Sequence, residues 1–457
     1  MASNNRQAAL ELGTQPVGVL LWRYALPAVI AMTAASLYNI IDRIFIGQMV
    51  GALAISGLAI TFPFMNLGAA FGSALGVGAA NVISVSLGKH DYEEAEHIFG
   101  NTVSLVIIVS LIYTVVCLAF LEPILRFFGA SEATLPYALR FMQVILIGTP
   151  VSHLYYGLNN VLRAAAKPRT AMAATLLSVV LNIVLDMVFI WWWHWGIRGA
   201  AIATVTAQTI VLMCQLHVFA DQKSLLHFRH GIYGLRRRLI ARIVSIGISP
   251  FLMNVAACVV VIFVNVRLVH YGGDLSVGAY GIANSIATMF IMFGFGLCQG
   301  MQPIVGYNYG ARQYTRMLRC LRLTILVVVG ILSAGWLVSM TIPHLLARLF
   351  TSDGELIRLS TYAIRAVMIA FPLVGFQLVV TNFFQCIGRV RLSIFLSLSR
   401  QIIYLVPALA VLPLFWQADG VWYAMPVSDV LASVTAFFVM ADYRKKNKTE
   451  YEKECSN

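Results

Sequence analysis

The sequence predicts an all-α polytopic membrane protein, with twelve transmembrane helices in two pseudosymmetric six-helix lobes around a central cleft. Three observations carry this. The 457 residues are 60% hydrophobic and only 11% charged, with a mean hydropathy of +0.81, too apolar for a soluble core under a solvated surface. Apolar runs of about 20 residues, the length that spans a bilayer, recur between short polar breaks. They lie near 20–46, 52–87, 98–121, 137–164, 171–193, 198–219, 241–268, 278–309, 319–342, 361–382, 393–414 and 420–440. The first six match the last six at an offset of about 222 residues, as internal symmetry in transporters often does.

Span one contains Pro27, which deletes a backbone hydrogen bond and makes that position the expected hinge. Asp42 follows toward the outer end of the same span. Span two carries Gly72-x-x-x-Gly76, and span eight carries Gly296-x-x-x-Gly300 and Gly306-x-x-x-Gly310, spacings that let helix backbones approach closely in lipid. Span four brings Asn159 and Asn160, and span six brings Thr204 and Thr206. Span five runs from Ala171 to the interfacial belt Trp191-Trp192-Trp193-His194-Trp195. Within it Ser178, Asn182 and Asp186 recur every four residues and share one helix face.

The longest polar break holds Lys223, Arg229 and Arg236-Arg237-Arg238 and divides the chain. The expected organisation is an N-terminal lobe over 1–220, a basic linker over 221–240, a C-terminal lobe over 241–440 and a charged tail over 441–457. Across the divide Pro27 answers Pro250, Asp42 answers Asn265, Gly88 answers Gly310 and Pro150 answers Pro372. Six spans per half is an even number, so the repeat is parallel, with its axis along the membrane normal.

The net charge of +13 is a topology signal. With both termini placed in the cytoplasm, every lysine (Lys89, Lys167, Lys223, Lys445, Lys446, Lys448, Lys453) falls inside, as the positive-inside bias requires. That removes a nucleic-acid partner and implies a multi-pass protein of the inner (plasma) membrane, whose basic face attracts anionic lipid. The first 19 residues lack the apolar region of a cleavable signal peptide. Seven cysteines without C-x-x-C and nine histidines without ligand spacing imply no disulfide framework, no cofactor and no His/Cys metal site.

A carboxylate at bilayer depth costs several kcal/mol unless paired, hydrated or protonated, so Asp42 and Asp186 mark a proton or ion site. Two nearby acids titrate as a pair. Such a site loads H⁺, or Na⁺ given enough oxygen ligands; Asn182 shares its face, and Thr204, Thr206, Asn159 and Asn160 are candidates to complete it, each alone also readable as interhelical packing. The ordinary alternatives are an interfacial Asp42 beside Arg43 and a structural hydrogen bond at Asp186. In the second half Asp429 is the one carboxyl within a span, and Arg400 either pairs with it or snorkels. Met253, Met289, Met292, Phe290 and Phe293 offer soft and aromatic walls suited to lipophilic cations, although such residues also fill lipid-facing surface.

Gly300-Met301-Gln302-Pro303-Ile304-Val305-Gly306-Tyr307-Asn308-Tyr309-Gly310-Ala311 resembles the signature of multidrug and toxic compound extrusion (MATE) transporters. So do its counterpart Gly76-x-Gly78-x-x-Asn81 and the run Asn160-x-x-Arg163-Ala164 followed by Asn182 and Asp186. The resemblance, to the DinF-type and MepA-type prokaryotic branch, implies efflux of organic cations against a H⁺ or Na⁺ gradient. It also implies an N-lobe site at Asp42, Asn182 and Asp186, supported by Asn159 and Thr204. The Glu that the NorM-like, Na⁺-coupled branch carries in helix seven is missing between Pro250 and Val261, which favours protons.

The expected function is therefore multidrug efflux of amphipathic cations by antiport with alternating access, by a monomer and without enzymatic activity. The second reading is a flippase for lipid-linked saccharide precursors, which would favour a more cationic cleft. A membrane-embedded enzyme would have only His153, near Tyr155 and Tyr156, to build on.

Overall fold

The computed structural model describes residues 10–447 except 50, 51, 129 and 223; the side chains at 39–60, 62, 63 and 274 are also outside the described set. Among the described residues the chain is helical, and its membrane-length helices are numbered here in chain order. The first lobe's are α1 (Val17–Met49), α2 (Ala52–Gly88), α3 (Tyr92–Ala119), α4 (Leu135–Ala164), α5 (Pro168–Trp192) and α6 (Gly196–Ala220). The second lobe's are α7 (Arg237–Gly273), α8 (Leu275–Gly310), α9 (Tyr314–Thr341), α10 (Gly354–Met368 and Phe371–Cys386, bent by 47°), α11 (390–416) and α12 (418–446).

This is the twelve-helix, two-lobe layout that the hydropathy pattern implies. By length and composition nine of the described helices can cross a membrane, or ten with the bent α10. The run Val390–Lys446 is among the nine although it is 57 residues long and breaks at Gln417, whose φ of 49° interrupts the helix. It supplies both α11 and α12. The 30 residues of α4 are long enough but less apolar. Polar interior positions, Asn159 and Asn160 among them, lower its hydropathy.

The chain separates into two compact units that do not follow the polar break exactly. Ile30–Phe251 form the first unit with the N-terminal residues to Gln15, and Pro16–Val29 join Leu252–Asn457 in the second. Each changeover falls one or two residues after a proline, Pro27 in α1 and Pro250 in α7. The first half of α7, read from sequence as part of the C-terminal lobe, thus packs in the first unit.

Small residues explain how each exchanged half-helix is received. In the first unit a Cβ at Gly78 of α2 would collide with the carbonyl of Ile243, and one at Gly247 of α7 with the carbonyl of Ala74. In the second unit a Cβ at Gly300 of α8 would lie 2.5 Å from the backbone nitrogen of Ala25, and one at Gly296 would lie 2.8 Å from Cα of Val29. Gly78 and Gly300, and likewise Ala25 and Gly247, are repeat partners. The same backbone-on-backbone contact is therefore built twice, without side chains to keep the helices apart.

The basic linker is held against the start of α3. Asp91 caps that helix by accepting from the Glu94 amide at 2.9 Å. Buried Asn101 accepts from the Arg236 amide at 2.7 Å and donates to the Ile232 carbonyl at 3.2 Å. Ser104 donates to the Tyr233 carbonyl at 3.1 Å, while Arg242 meets Glu94 at 2.6 Å. Phe99, Phe219 and Phe228 cluster beneath, with ring centroids 4.8 to 6.3 Å apart. A cavity of about 300 Å³ remains among Asp91, Glu93, Glu94, His97, Arg236, Arg238 and Leu239.

Candidate ion-coupling site

Three helices of the first unit deliver polar groups to one point. α5 contributes Asn182 and Asp186, which its period of four places one above the other; both are buried, Asp186 completely. α6 contributes Thr204, and α1 contributes Tyr38. The Tyr38 and Thr204 hydroxyls lie 3.3 Å apart.

The Asn182 amide joins the set. Turned so that donors face acceptors, its Nδ2 donates to Asp186 Oδ2 at 2.9 Å and to the Tyr38 hydroxyl at 3.3 Å. Its Oδ1 then accepts from the backbone N–H and hydroxyl of Thr204, each at 3.0 Å. One carboxylate, two hydroxyls and an amide thus form a continuous network in apolar surroundings. Oxygen donors of this kind suit a proton or a hard monovalent cation; a soft metal would prefer sulfur or imidazole. Among the described residues no group of three or more His, Cys, Asp or Glu could hold a metal.

Immediately after Asp186 the helix widens into a π-helical turn, Met187–Trp192. Such turns are rare and concentrate at functional sites. Phe189 of that turn stacks on Trp193 and Trp195, with the three ring centroids 4.8 to 5.2 Å apart, ending the helix in the aromatic belt.

The other expected site residues divide as follows. The Asp42 side chain lies outside the described residues. Pro27 is buried within α1 and belongs to the second unit. Asn159 is not brought to the cluster. Its Nδ2 donates to the Ala171 carbonyl at 3.1 Å and to Thr175 at 3.3 Å, and its Oδ1 accepts from Arg163 at 2.8 Å. Thr175 precedes Asp186 by eleven residues, about 16 Å along a helix. Asn159 therefore serves Arg163, whose other Nη donates to Asn160 at 2.7 Å.

Of the soft residues, Met289 is half exposed, and Met253, Met292 and Phe293 are partly buried. Phe290 packs on α9, filling the space above Gly335. His153 is buried against Gly72, with the Tyr113 ring 5.7 Å away, as part of helix packing. Tyr38 is the site residue that sequence reasoning misses. Its position four residues before Asp42, on the same helix face, is the available signal.

The second unit carries an ion pair of its own. Arg400 Nε donates to Asp429 Oδ1 at 2.6 Å, joining α11 to α12. Arg400 also sits in a π-helical turn, Ser399–Leu405.

Comparison with known proteins agrees with the duplicated helical fold. The MatE family model matches twice, over residues 27–188 and 246–409, consistent with the internal duplication. The curated "Multidrug export protein MepA" of Staphylococcus haemolyticus is 26% identical over 93% of this chain and 94% of its own length. The solved structure of the "MATE multidrug transporter DinF-BH in complex with R6G" is 34% identical, covers 94% of this chain and 97% of its own, and superposes with a TM-score of 0.88. An outward-facing multidrug resistance MATE family transporter of the MOP superfamily, at 22% identity, shares the fold with a TM-score of 0.91 over 96% of this chain and 98% of its own.

Proposed function

The chain belongs to the MatE family, and on that premise we propose that it exports amphipathic, mainly cationic organic compounds by antiport, with H⁺ as the coupling ion and Na⁺ as the alternative. The observation that carries the reading is the buried Asp186 network. A carboxylate held by an amide that two hydroxyls hold in turn, inside a helix that crosses the bilayer, has a use in ion coupling and little in stability. The names of the similar proteins, a multidrug exporter and a multidrug transporter bound to R6G, support drug-type efflux over the flippase reading.

An ion drives transport only if it binds two conformations differently. Loading a proton on Asp186 removes the charge that Asn182 Nδ2 stabilises and shifts the balance of that amide's existing bonds to Tyr38 and Thr204. Tyr38 lies on α1, the helix that carries Pro27, so a change at Asp186 is felt on the helix best able to bend. Loading from outside and release to the cytoplasm, with both termini cytoplasmic and the protein in the inner membrane, completes an alternating-access cycle.

The test is efflux of a fluorescent lipophilic cation from proteoliposomes under a pH gradient and, separately, a Na⁺ gradient. The pH gradient alone should drive transport, and Asp186→Asn should abolish it while the purified protein stays monodisperse. Transport by Na⁺ only would replace the coupling ion. Full gradient-driven transport by Asp186→Asn would remove the site, and silence of the folded wild type under both gradients would remove drug efflux.

A further inference from the structure

We propose that Arg400 and Asp429 form a second ligand site, within the second unit, that takes a carboxylate group on an amphipathic substrate; this rests on the drug-efflux reading above. The pair lies deep in its helices. Arg400 stands ten residues after the start of α11 and sixteen before its end, about 15 and 24 Å at the helical rise. Asp429 stands eleven residues into α12 and seventeen from its end, again well over 10 Å from either terminus. An arginine side chain reaches only about 6–7 Å, so Arg400 cannot snorkel to an interface from there.

The pairing is incomplete in a particular way. Asp429 has 5% of its side chain exposed, whereas Arg400 keeps 28%. Only Nε is engaged, by Asp429 Oδ1 at 2.6 Å, and among the described residues the two Nη groups have no protein acceptor. A guanidinium normally offers its fork of donors in full, and donors left toward hydrocarbon would be prohibitively costly. The open Nη edge therefore faces a space that water or a ligand fills. Asp429 fixes the guanidinium through Nε and orients the Nη pair outward, matched to the two oxygens of a carboxylate. The surrounding π-helical turn places the group in a built environment. A phosphate headgroup of the bilayer does not reach this depth.

The experiment uses full-length protein in detergent and two dyes that differ only in a carboxylate, rhodamine B and its ethyl ester. Binding is read by fluorescence anisotropy against empty micelles. The wild type should prefer the free acid, and Arg400→Gln should weaken the acid about tenfold while leaving the ester within about twofold. Because Arg400→Gln strands Asp429 and can impair folding, the neutral double variant R400Q/D429N is measured as well. It should bind the two dyes equally. Equal affinity of the wild type for both dyes, or a preference for the acid that survives in the double variant, overturns the site and leaves drug efflux standing. Failure of the folded wild type to bind either dye overturns both.

Discussion

Asn101→Leu has a cost that can be worked from the structure. The wild-type side chain fastens the linker to α3 through two backbone groups, the Arg236 N–H at 2.7 Å and the Ile232 carbonyl at 3.2 Å. Its third contact, to the His97 carbonyl at 2.9 Å, stays within the helix and does not bind the linker. Leucine keeps the branched shape and removes both linker bonds. At about 1 kcal/mol net for each, with the stranded groups able to turn to water, the linker opens more easily by about 2 kcal/mol. That is about 30-fold in the open population. Arg236, Arg237 and Arg238 make the linker a tryptic site, and cleavage tracks the open population when reclosing is fast. Purified Asn101→Leu should therefore be nicked there about 30-fold faster than wild type. Ser104→Ala, which loses the single bond to the Tyr233 carbonyl, should show about fivefold. Digestion of monodisperse Asn101→Leu at the wild-type rate would refute the assignment of the linker's hold to this residue.

Other expectations follow from the same geometry. Asn182→Leu removes the donor to Asp186 and should cut gradient-driven transport at least about tenfold, whereas Thr204→Val should cut it less; flux assays on matched amounts of folded protein decide. Gly78→Val and Gly300→Val each force a side chain onto a helix backbone and should each lower thermal stability by about 1–3 kcal/mol, read by melting in detergent. Asp429→Asn alone should cost about 3 kcal/mol by leaving Arg400 unpaired, and pairing it with Arg400→Gln should recover part of that loss. At the surface, Arg126 binds Glu132 at 2.6 Å and holds that carboxyl below its usual range. Its contribution is present above the ordinary glutamate pKa and lost as pH falls through the depressed one. Arg126→Ala should remove that acid-side dependence and lower the neutral-pH melting temperature by the same small amount, because both groups are exposed.

What could be read beforehand depended on whether the signal was local. Asn182 and Asp186 stand out because polar residues at a period of four inside an apolar helix would be ruinous facing lipid and must turn inward. The spacing Gly296-x-x-x-Gly300 marks close packing, but the helix that fills it, at Ala25 and Val29, lies some 270 residues away in sequence. Arg400 and Asp429 stand 29 residues apart on separate helices, so pairing and snorkelling look alike until the depth of both is known. Asn159 groups with the acids by residue type, whereas Arg163, one helical turn away, has the stronger claim on its oxygen. The two π-helical turns have no composition of their own, and nothing in Met187–Trp192 or Ser399–Leu405 distinguishes them from ordinary helix.

The exchanged halves of α1 and α7 bear on how the chain is made. Pro16–Val29 leaves the ribosome early, yet the rest of the unit it belongs to starts only at Leu252. The segment ending at Phe251 belongs to a unit whose other helices are already complete by then. Neither unit can close from one continuous stretch of newly made chain, and the first must wait for residues beyond the linker. Closing contacts over so long a separation is slow, and a half-built unit leaves Gly78 or Ala25 facing lipid or another chain meanwhile. The two lobes expressed as separate polypeptides cut within 221–236 should still assemble, because each fragment retains its exchanged half-helix. A cut near Pro250 instead leaves the piece that seats on Gly78 in one fragment with the rest of the first unit, so that unit should close without the second fragment.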